Sequence, residues 1–176
     1  NPYSASKAGA EQLGIAFHNT YGLPIVTTNC MNVIGERQHP EKYLPLCIKK
    51  ILAGEKVYIH SDPDKNPGTR FYVHARNVAD ISLFLTQKAE AGDKYNLVGQ
   101  KELSNLELAQ TVADILGKEL NYELVDFHSS RPGHDLRYAL EDTKLWRMGY
   151  KYPVSFEESI KKTIQWTLEN PKWLAD

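Results

Sequence analysis

The sequence lacks the features that mark several common classes of protein. It has no apolar run near the roughly 20 residues that cross a bilayer, and its first residues do not form a basic-then-apolar secretion signal. Its two cysteines, Cys30 and Cys47, are too few for a disulfide framework and do not have metal-ligand spacing. A net charge of −1 gives no basic surplus for binding nucleic acid. We therefore expect a cytoplasmic protein with no metal site, no membrane contact and no nucleic-acid partner.

The sequence also lacks an initiator methionine. It opens at Asn1-Pro2-Tyr3 and passes at once into residues that favour a helix. This start predicts that the numbering begins inside a longer protein.

The residues that are present predict alternating helices and strands. Hydrophobic residues make up 41% of the chain and charged residues 24%, as in an ordinary globular protein. Residues 4–21 favour a helix, in which Leu13, Phe17 and Tyr21 recur every four positions and predict one buried face. The β-branched residues 25–28 then predict a strand that leads into a polar loop at residues 29–32.

Later segments continue this α/β pattern. Two helix starts match the capping box, in which a serine and a glutamate three residues later satisfy each other's backbone amides: Ser104 with Glu107, and Ser155 with Glu158. Further elements are predicted as helices at residues 43–53, 78–85 and 155–170, and as strands at residues 57–59, 70–73 and 95–98.

Tyr3 and Lys7 are candidates for acid–base chemistry. They stand four residues apart in the first predicted helix, so their side chains project from one face. A phenol is a weak base at neutral pH, but a neighbouring ammonium stabilises its phenolate form. Such a pair can move a proton when an alcohol and a ketone interconvert. The same spacing is common on solvated helix faces, so the spacing alone does not identify a catalytic pair. The sequence around Tyr3 and Lys7 has to show which of the two readings applies.

The surrounding sequence resembles one enzyme family over nearly the whole chain. Residues 2–11 (PYSASKAGAE) resemble the catalytic helix of the extended short-chain dehydrogenases, in the NAD-dependent epimerase/dehydratase group. Residues 28–42, with TNCMN, Gly35 and HPEK, are similar to a substrate and cofactor loop of the dTDP-glucose 4,6-dehydratases. Residues 131–138 (RPGHDLRY) and 155–173 resemble the late substrate motif and the final helix of the same family.

The resemblance implies a fold and a reaction. The fold is α/β: the carboxy-terminal part of a Rossmann-type doubly wound sheet, with a small α/β substrate-binding lobe. Residues 1–35 would end the dinucleotide-binding domain, and residues 36–176 would form mainly the substrate-binding lobe with returning sheet elements. The implied cofactor is NAD and the implied substrate a nucleotide-sugar. Oxidation at C4, loss of water across C5 and C6, and reduction at C6 would give a 4-keto-6-deoxy sugar.

The resemblance also implies roles for individual residues. Tyr3 and Lys7 would be catalytic, with Tyr3 taking the proton of the sugar C4 hydroxyl. The residues implied on the cofactor side are Tyr3, Lys7, Asn29 and Cys30. Those implied to bind substrate are Asn32, Glu41, Lys42, Arg70, Asn96, Arg131 and His134. Family members commonly dimerise through the helix that bears the tyrosine, so a homodimer is expected.

Two parts of the family pattern lie upstream of the catalytic tyrosine and do not occur in this sequence. They are the Asp–Glu pair that performs the elimination and a glycine-rich G-x-x-G-x-x-G loop for the dinucleotide. We therefore expect residues 1–176 alone to be inactive. Two alternatives also stay open: a nucleotide-sugar 4-epimerase, which shares Tyr3 and Lys7, and a non-catalytic binding or assembly module that keeps the fold.

Overall fold

Helices and strands alternate along the chain in residues 1–126 and 135–175, which the computed structural model describes. The helices are α1 (Pro2–Tyr21), α2 (Tyr43–Ala53), α3 (Ala75–Lys88), α4 (Asn105–Leu116), α5 (Thr143–Arg147) and α6 (Phe156–Glu169). The strands are β1 (Thr27–Cys30), β2 (Asn32–Ile34), β3 (Val57–Ser61), β4 (Thr69–His74), β5 (Lys94–Leu97), β6 (Glu102–Ser104), β7 (Tyr122–Asp126) and β8 (Arg137–Tyr138). A 3-10 turn at Pro171–Leu174 follows the last helix.

The strands pair mainly in parallel, which confirms the predicted fold class. β1 pairs with β5, and β3 pairs with β7. β4 lies between β2 and β6, parallel to the first and antiparallel to the second, and the short β8 joins β4 in parallel. Parallel strands need crossover connections, which are usually helical, and α2, α3 and α4 lie in the chain segments that connect the parallel partners.

Two hydrophobic clusters support these sheets. The larger one joins α2, α4 and α6 to β3 and β4, with Leu44, Ile48, Leu108 and Ile160 almost fully buried. The smaller one joins α3 and α5 to β5, and it includes Ile81, Leu97 and Leu145. None of the helices in the described ranges is long and apolar enough to span a lipid bilayer.

Local signals placed several helix ends correctly. α2 ends at Ala53, and Gly54 adopts the left-handed backbone (φ 70°) that glycine tolerates best. At α4 the Ser104 hydroxyl accepts the Glu107 amide at 3.1 Å, and the Glu107 carboxylate accepts the Ser104 amide at 2.7 Å. At α6 only one of the two hydrogen bonds of the capping box forms. The Ser155 hydroxyl accepts the Glu158 amide, whereas the Glu158 carboxylate pairs with Lys162 instead of the Ser155 amide.

The predicted buried face of the first helix is wrong. Leu13, Phe17 and Tyr21 are 60%, 46% and 69% exposed. The side of α1 that contacts the sheet carries Glu11, Gly14 and His18 instead. At Gly14 the helix lies close to the Ile25 side chain, since a Cβ there would be in ordinary van der Waals contact with it at 3.5 Å. The four-residue spacing identified an apolar stripe but could not identify which side of the helix faces the sheet.

The predicted strand and polar loop near residue 30 also need correction. The strand β1 begins at Thr27 rather than at residue 25, and the segment expected to be a loop contributes Asn29 and Cys30 to β1 and Asn32 to β2. Strand pairing overrides the polar character of these residues, because β1 pairs with β5 and β2 pairs with β4.

Candidate active site

Tyr3 and Lys7 lie in the first two turns of α1. The helix start is fixed by Asn1, whose side chain accepts the Ser4 amide at 2.9 Å, and by Pro2, which suits the first turn. Tyr3 is 73% exposed and Lys7 is exposed as well. Within the part of the chain that the structure describes, neither the Tyr3 hydroxyl nor the Lys7 ammonium has a hydrogen-bond partner. Both groups are therefore available to a ligand.

The position of α1 brings Tyr3 to the edge of the sheet where β1 and β5 end. Helix and strand run in opposite directions around the turn at Gly22, and Glu11 pairs with Lys94, the first residue of β5. From Glu11 back to Tyr3 the helix rises about 12 Å. From Lys94 to Leu97 the strand rises about 10 Å. Tyr3 thus reaches the level of the carboxyl strand ends, where doubly wound folds bind their ligands.

Asn29 and Asn96 lie side by side near that edge. They are partners in the register of β1 and β5, and the Asn29 amide donates to Asn96 Oδ1 at 3.4 Å. The Asn96 amide in turn donates to the Glu141 carbonyl at 2.9 Å. Cys30 is the next residue of β1, and desolvation raises the pKa of its thiol, which keeps it protonated at neutral pH. A hydrogen bond therefore joins Asn29, which was predicted to bind the cofactor, to Asn96, which was predicted to bind the substrate.

Asn32, Glu41 and Lys42 flank the segment between β2 and α2. Asn32 is exposed at the start of β2, one residue beyond the buried Met31. Glu41 and Lys42 are exposed at the other end, where Lys42 precedes the first turn of α2 and its ammonium lies 3.4 Å from the Glu41 carboxylate. This exposed pair is held weakly, so an anionic ligand could recruit Lys42.

Arg70 is placed differently from the other predicted substrate residues. It is 9% exposed on β4, and its guanidinium donates to the carbonyls of Leu136 at 3.0 Å and Asp135 at 2.8 Å. Asp135 follows His134 in the sequence, whereas Arg131 and His134 themselves lie outside the described residues. These contacts engage Arg70 with the backbone, and its role in binding substrate stays a prediction.

One polar cluster was not anticipated from the sequence. At the carboxyl ends of β2 and β4, the Glu36 carboxylate lies 3.2 Å from His74 Nε2 and 3.3 Å from Arg76 Nη2. No spacing rule connects residues so far apart in the chain.

Other sites in the described ranges offer less chemistry. A cavity of about 790 Å³ lies at the carboxyl ends of α2 and α4, between Ile51, Gly54, Leu120 and Tyr122, and contains none of the predicted site residues. In those same ranges no group of three His, Cys, Asp or Glu side chains could hold a metal ion.

Comparison with known sequences identifies relatives along almost the whole chain. The model of a family described as GDP-mannose 4,6 dehydratase matches residues 1–163. dTDP-glucose 4,6-dehydratase 1 of Escherichia coli K12 is 37% identical over 180 residues, covering 99% of this chain and 49% of that protein. The chain spans about half of that relative and as little as 26% of others that it matches.

Solved structures also resemble almost the whole chain. A crystal structure of dTDP-glucose 4,6-dehydratase from Bacillus anthracis in complex with NAD has a TM-score of 0.86 and 31% identity, covering 98% of this chain and 54% of that one. UDP-glucose 4-epimerase from Thermus thermophilus in complex with NAD has a TM-score of 0.81 and 27% identity, covering 94% of this chain and 53% of that one. Dehydratases and epimerases therefore share the fold of this chain.

Proposed function

Because this chain belongs to the GDP-mannose 4,6 dehydratase family, we propose that the protein containing it is an NAD-dependent nucleotide-sugar 4,6-dehydratase. The observation that carries the proposal is the position of Tyr3 and Lys7. Both are exposed at the edge where β1 and β5 end, and neither side chain has a partner among the described residues. The dehydratase of Escherichia coli, at 37% identity, supports this choice over other activities of the fold.

Tyr3 is the proposed acid–base residue. Its phenolate oxygen accepts the proton of the sugar C4 hydroxyl as C4 is oxidised to a ketone, which leaves Tyr3 as a neutral phenol. Lys7, one helical turn away on the same face, stabilises the phenolate that Tyr3 needs for this step. The ketone acidifies the C5 proton, and water is then lost across C5 and C6.

The described residues fit one side of an NAD site. NAD would supply the oxidant for C4 and the reductant for the later step at C6. The Lys7 ammonium, which has no partner in residues 1–126 and 135–175, is proposed to bind the hydroxyls of the nicotinamide ribose, and Asn29 and Cys30 lie at the adjoining end of β1. The protonated thiol of Cys30 suits packing rather than nucleophilic chemistry.

The remaining candidate residues are proposed to bind the nucleotide-sugar. Asn32 offers an amide to the diphosphate oxygens, and Lys42 offers an ammonium beside Glu41. Asn96, held by Asn29 and by the Glu141 carbonyl, is proposed to contact the nucleotide. Arg70 on β4 and the motif residues Arg131 and His134 complete the proposed set.

A nucleotide-sugar 4-epimerase is the second candidate. The likeness to the Thermus thermophilus epimerase favours it, since the proton transfer by Tyr3 is common to both reactions. The two reactions differ in the mass of their product, because dehydration removes one water and epimerisation removes nothing.

Product mass therefore tests the proposal. The full-length protein with NAD is incubated separately with dTDP-glucose, UDP-glucose and GDP-mannose, and the products are analysed by mass spectrometry. Loss of one water from one of these sugars is the expected result. A product of unchanged mass but altered sugar configuration would instead support the epimerase, and no conversion of any substrate would contradict both.

A homodimer is proposed as the assembly. The apolar stripe of α1, consisting of Leu13, Phe17 and Tyr21, is exposed and could pair with the same helix of a second copy. The cytoplasmic location expected from the sequence stays a prediction.

A further inference from the structure

His74 is a buried histidine at the junction of three elements. It is the last residue of β4 and the N-cap of α3, and it is 4% exposed. Its Nε2 lies 3.2 Å from the Glu36 carboxylate and 3.1 Å from the Thr163 hydroxyl of α6. Its Nδ1 lies 3.0 Å from the backbone amide of Arg76. Each ring nitrogen therefore has a protein partner.

These partners define the protonation state of the ring. The Arg76 amide can only donate, so Nδ1 must accept and carries no proton. The proton of the neutral ring is then on Nε2, which donates to Glu36 or to Thr163. Burial lowers the pKa of His74, with the Arg76 charge acting in the same direction and Glu36 opposing it. Neutral His74 is thus the form that this network uses.

The network fastens the segment of residues 35–42, which joins β2 to α2. Glu36 connects the segment to His74 and also to Arg76, 3.3 Å from its carboxylate. Two further contacts hold the residues that follow: the Arg37 guanidinium lies 5.7 Å from the centre of the Trp166 ring, and the Gln38 amide donates to the Val33 carbonyl at 2.8 Å.

Of these contacts, the one through Glu36 is the most protected from water. The Glu36 side chain is 25% exposed and the His74 side chain 3%. The pairs that Glu41 makes with His39 and Lys42 are exposed surface contacts and add little to the stability of the segment. The conformation of the segment therefore depends mainly on Glu36 and His74.

We propose that Glu36 and His74 are positioning residues that preset residues 35–42 for substrate. The inference rests on the proposed function, in which Asn32 precedes this segment and Glu41 and Lys42 end it. A segment ordered in advance loses less conformational entropy when substrate binds. Without the Glu36 contacts, binding would have to order these residues, so substrate affinity would fall while the proton transfer by Tyr3 would be unaffected.

Three variants of the full-length protein test the proposal. Glu36→Ala removes the contacts to His74 and Arg76. His74→Gln keeps a side-chain amide that can donate to Glu36 and so serves as the conservative variant. Glu123→Ala is the matched control, because it removes a 2.7 Å ion pair with Lys56 between β7 and β3, which lie outside residues 35–42.

Two measurements are made on each variant with NAD present. Hydrogen exchange of residues 35–42 reports how firmly the segment is held. Steady-state kinetics with dTDP-glucose separate KM from kcat. For Glu36→Ala we expect faster exchange in residues 35–42 and a KM raised about tenfold with little change in kcat. His74→Gln should lie closer to the wild type, and Glu123→Ala should match it.

The possible failures are distinguishable. Unchanged exchange in Glu36→Ala, with normal wild-type turnover, would overturn this inference alone. Faster exchange with an unchanged KM would also overturn it, since the order of residues 35–42 would then not contribute to substrate binding. Absence of turnover by the wild-type protein on every nucleotide-sugar tried would overturn the proposed function, and the inference with it.

Discussion

At the scale of single residues, Tyr3 has the most specific proposed role. Replacing it with phenylalanine removes only the hydroxyl, which is exposed and makes no hydrogen bond to any residue that the structure describes. In the full-length enzyme we expect Tyr3→Phe to abolish turnover while the dissociation constant for the nucleotide-sugar stays nearly unchanged. Single-turnover kinetics and calorimetry measure the two quantities separately.

Tyr122→Phe is the matched control for this prediction. Tyr122 is an exposed tyrosine on β7, outside the proposed site, so its hydroxyl should be dispensable. If Tyr3→Phe kept most of the activity, Tyr3 could not be the acid–base residue.

His74 makes the stability of the protein depend on pH. Its pKa is lowered in the folded state from its usual value of 6.5, so the unfolded chain binds a proton at a higher pH than the folded one does. Its contribution to stability is therefore complete above about pH 6.5 and is lost as the pH falls through the lower folded pKa. We expect the free energy of unfolding to fall below pH 6.5 more steeply in the wild type than in His74→Gln. Urea denaturation at several pH values measures this, and equal slopes would contradict it.

Gly99 and Gly9 should respond oppositely to the same substitution. A Cβ at Gly99 would lie 1.9 Å from the Tyr72 carbonyl oxygen, so the backbone of β4 or of the segment after β5 would have to move. We expect Gly99→Ala to destabilise the protein by about 3 kcal/mol. Gly9→Ala is the control, because no atom lies within 4 Å of its Cβ position and alanine favours a helix by about 0.5–1 kcal/mol. Denaturant unfolding measures the free energy of unfolding of both variants. Equal values would show that the backbone near Gly99 can move to accommodate a Cβ at no cost.

At the scale of elements, α1 has an unusual distribution of apolar residues. Leu13, Phe17 and Tyr21 form a stripe on its exposed side, and the Phe17 and Tyr21 rings lie 5.6 Å apart. If this stripe pairs with a second copy, Phe17→Glu places a charge in an apolar interface. We expect light scattering at micromolar concentration to find this variant monomeric and the wild type dimeric.

The control for the stripe is Leu83→Glu, which alters an apolar side chain of α3 that is 65% exposed. This variant should remain dimeric. If the wild type is a monomer, or if Phe17→Glu still dimerises, the stripe of α1 is not a dimer interface.

At the scale of the whole molecule, the proposed site needs residues that this chain does not contain. A dinucleotide is held by a glycine-rich turn and the amino end of a helix, and the sequence has no G-x-x-G-x-x-G loop. We expect a polypeptide of residues 1–176 to bind NAD weakly or not at all, and to retain at most millimolar affinity for dTDP, about −4 kcal/mol. Calorimetric titration checks both ligands, with the full-length protein as the positive control. Micromolar binding of NAD by residues 1–176 would contradict the expectation.

The sequence by itself determined the features that depend on neighbouring residues. Gly54 ended α2, Ser104 started α4, and Ser155 started α6, because capping and turn geometry involve only residues within one helical turn. The spacing of Tyr3 and Lys7 and the order of the motifs were equally local, and they identified the family before any contact was known.

Only the tertiary structure decided which distant residues meet. Asn29 and Asn96 are adjacent because β1 and β5 share a register, and Glu36 and His74 meet because β2 and β4 end at the same edge of their sheet. The outward stripe of α1 was decided in the same way. Periodicity shows that a helix has an apolar side, but the partner of that side depends on how all elements pack together, and no local pattern encodes that packing.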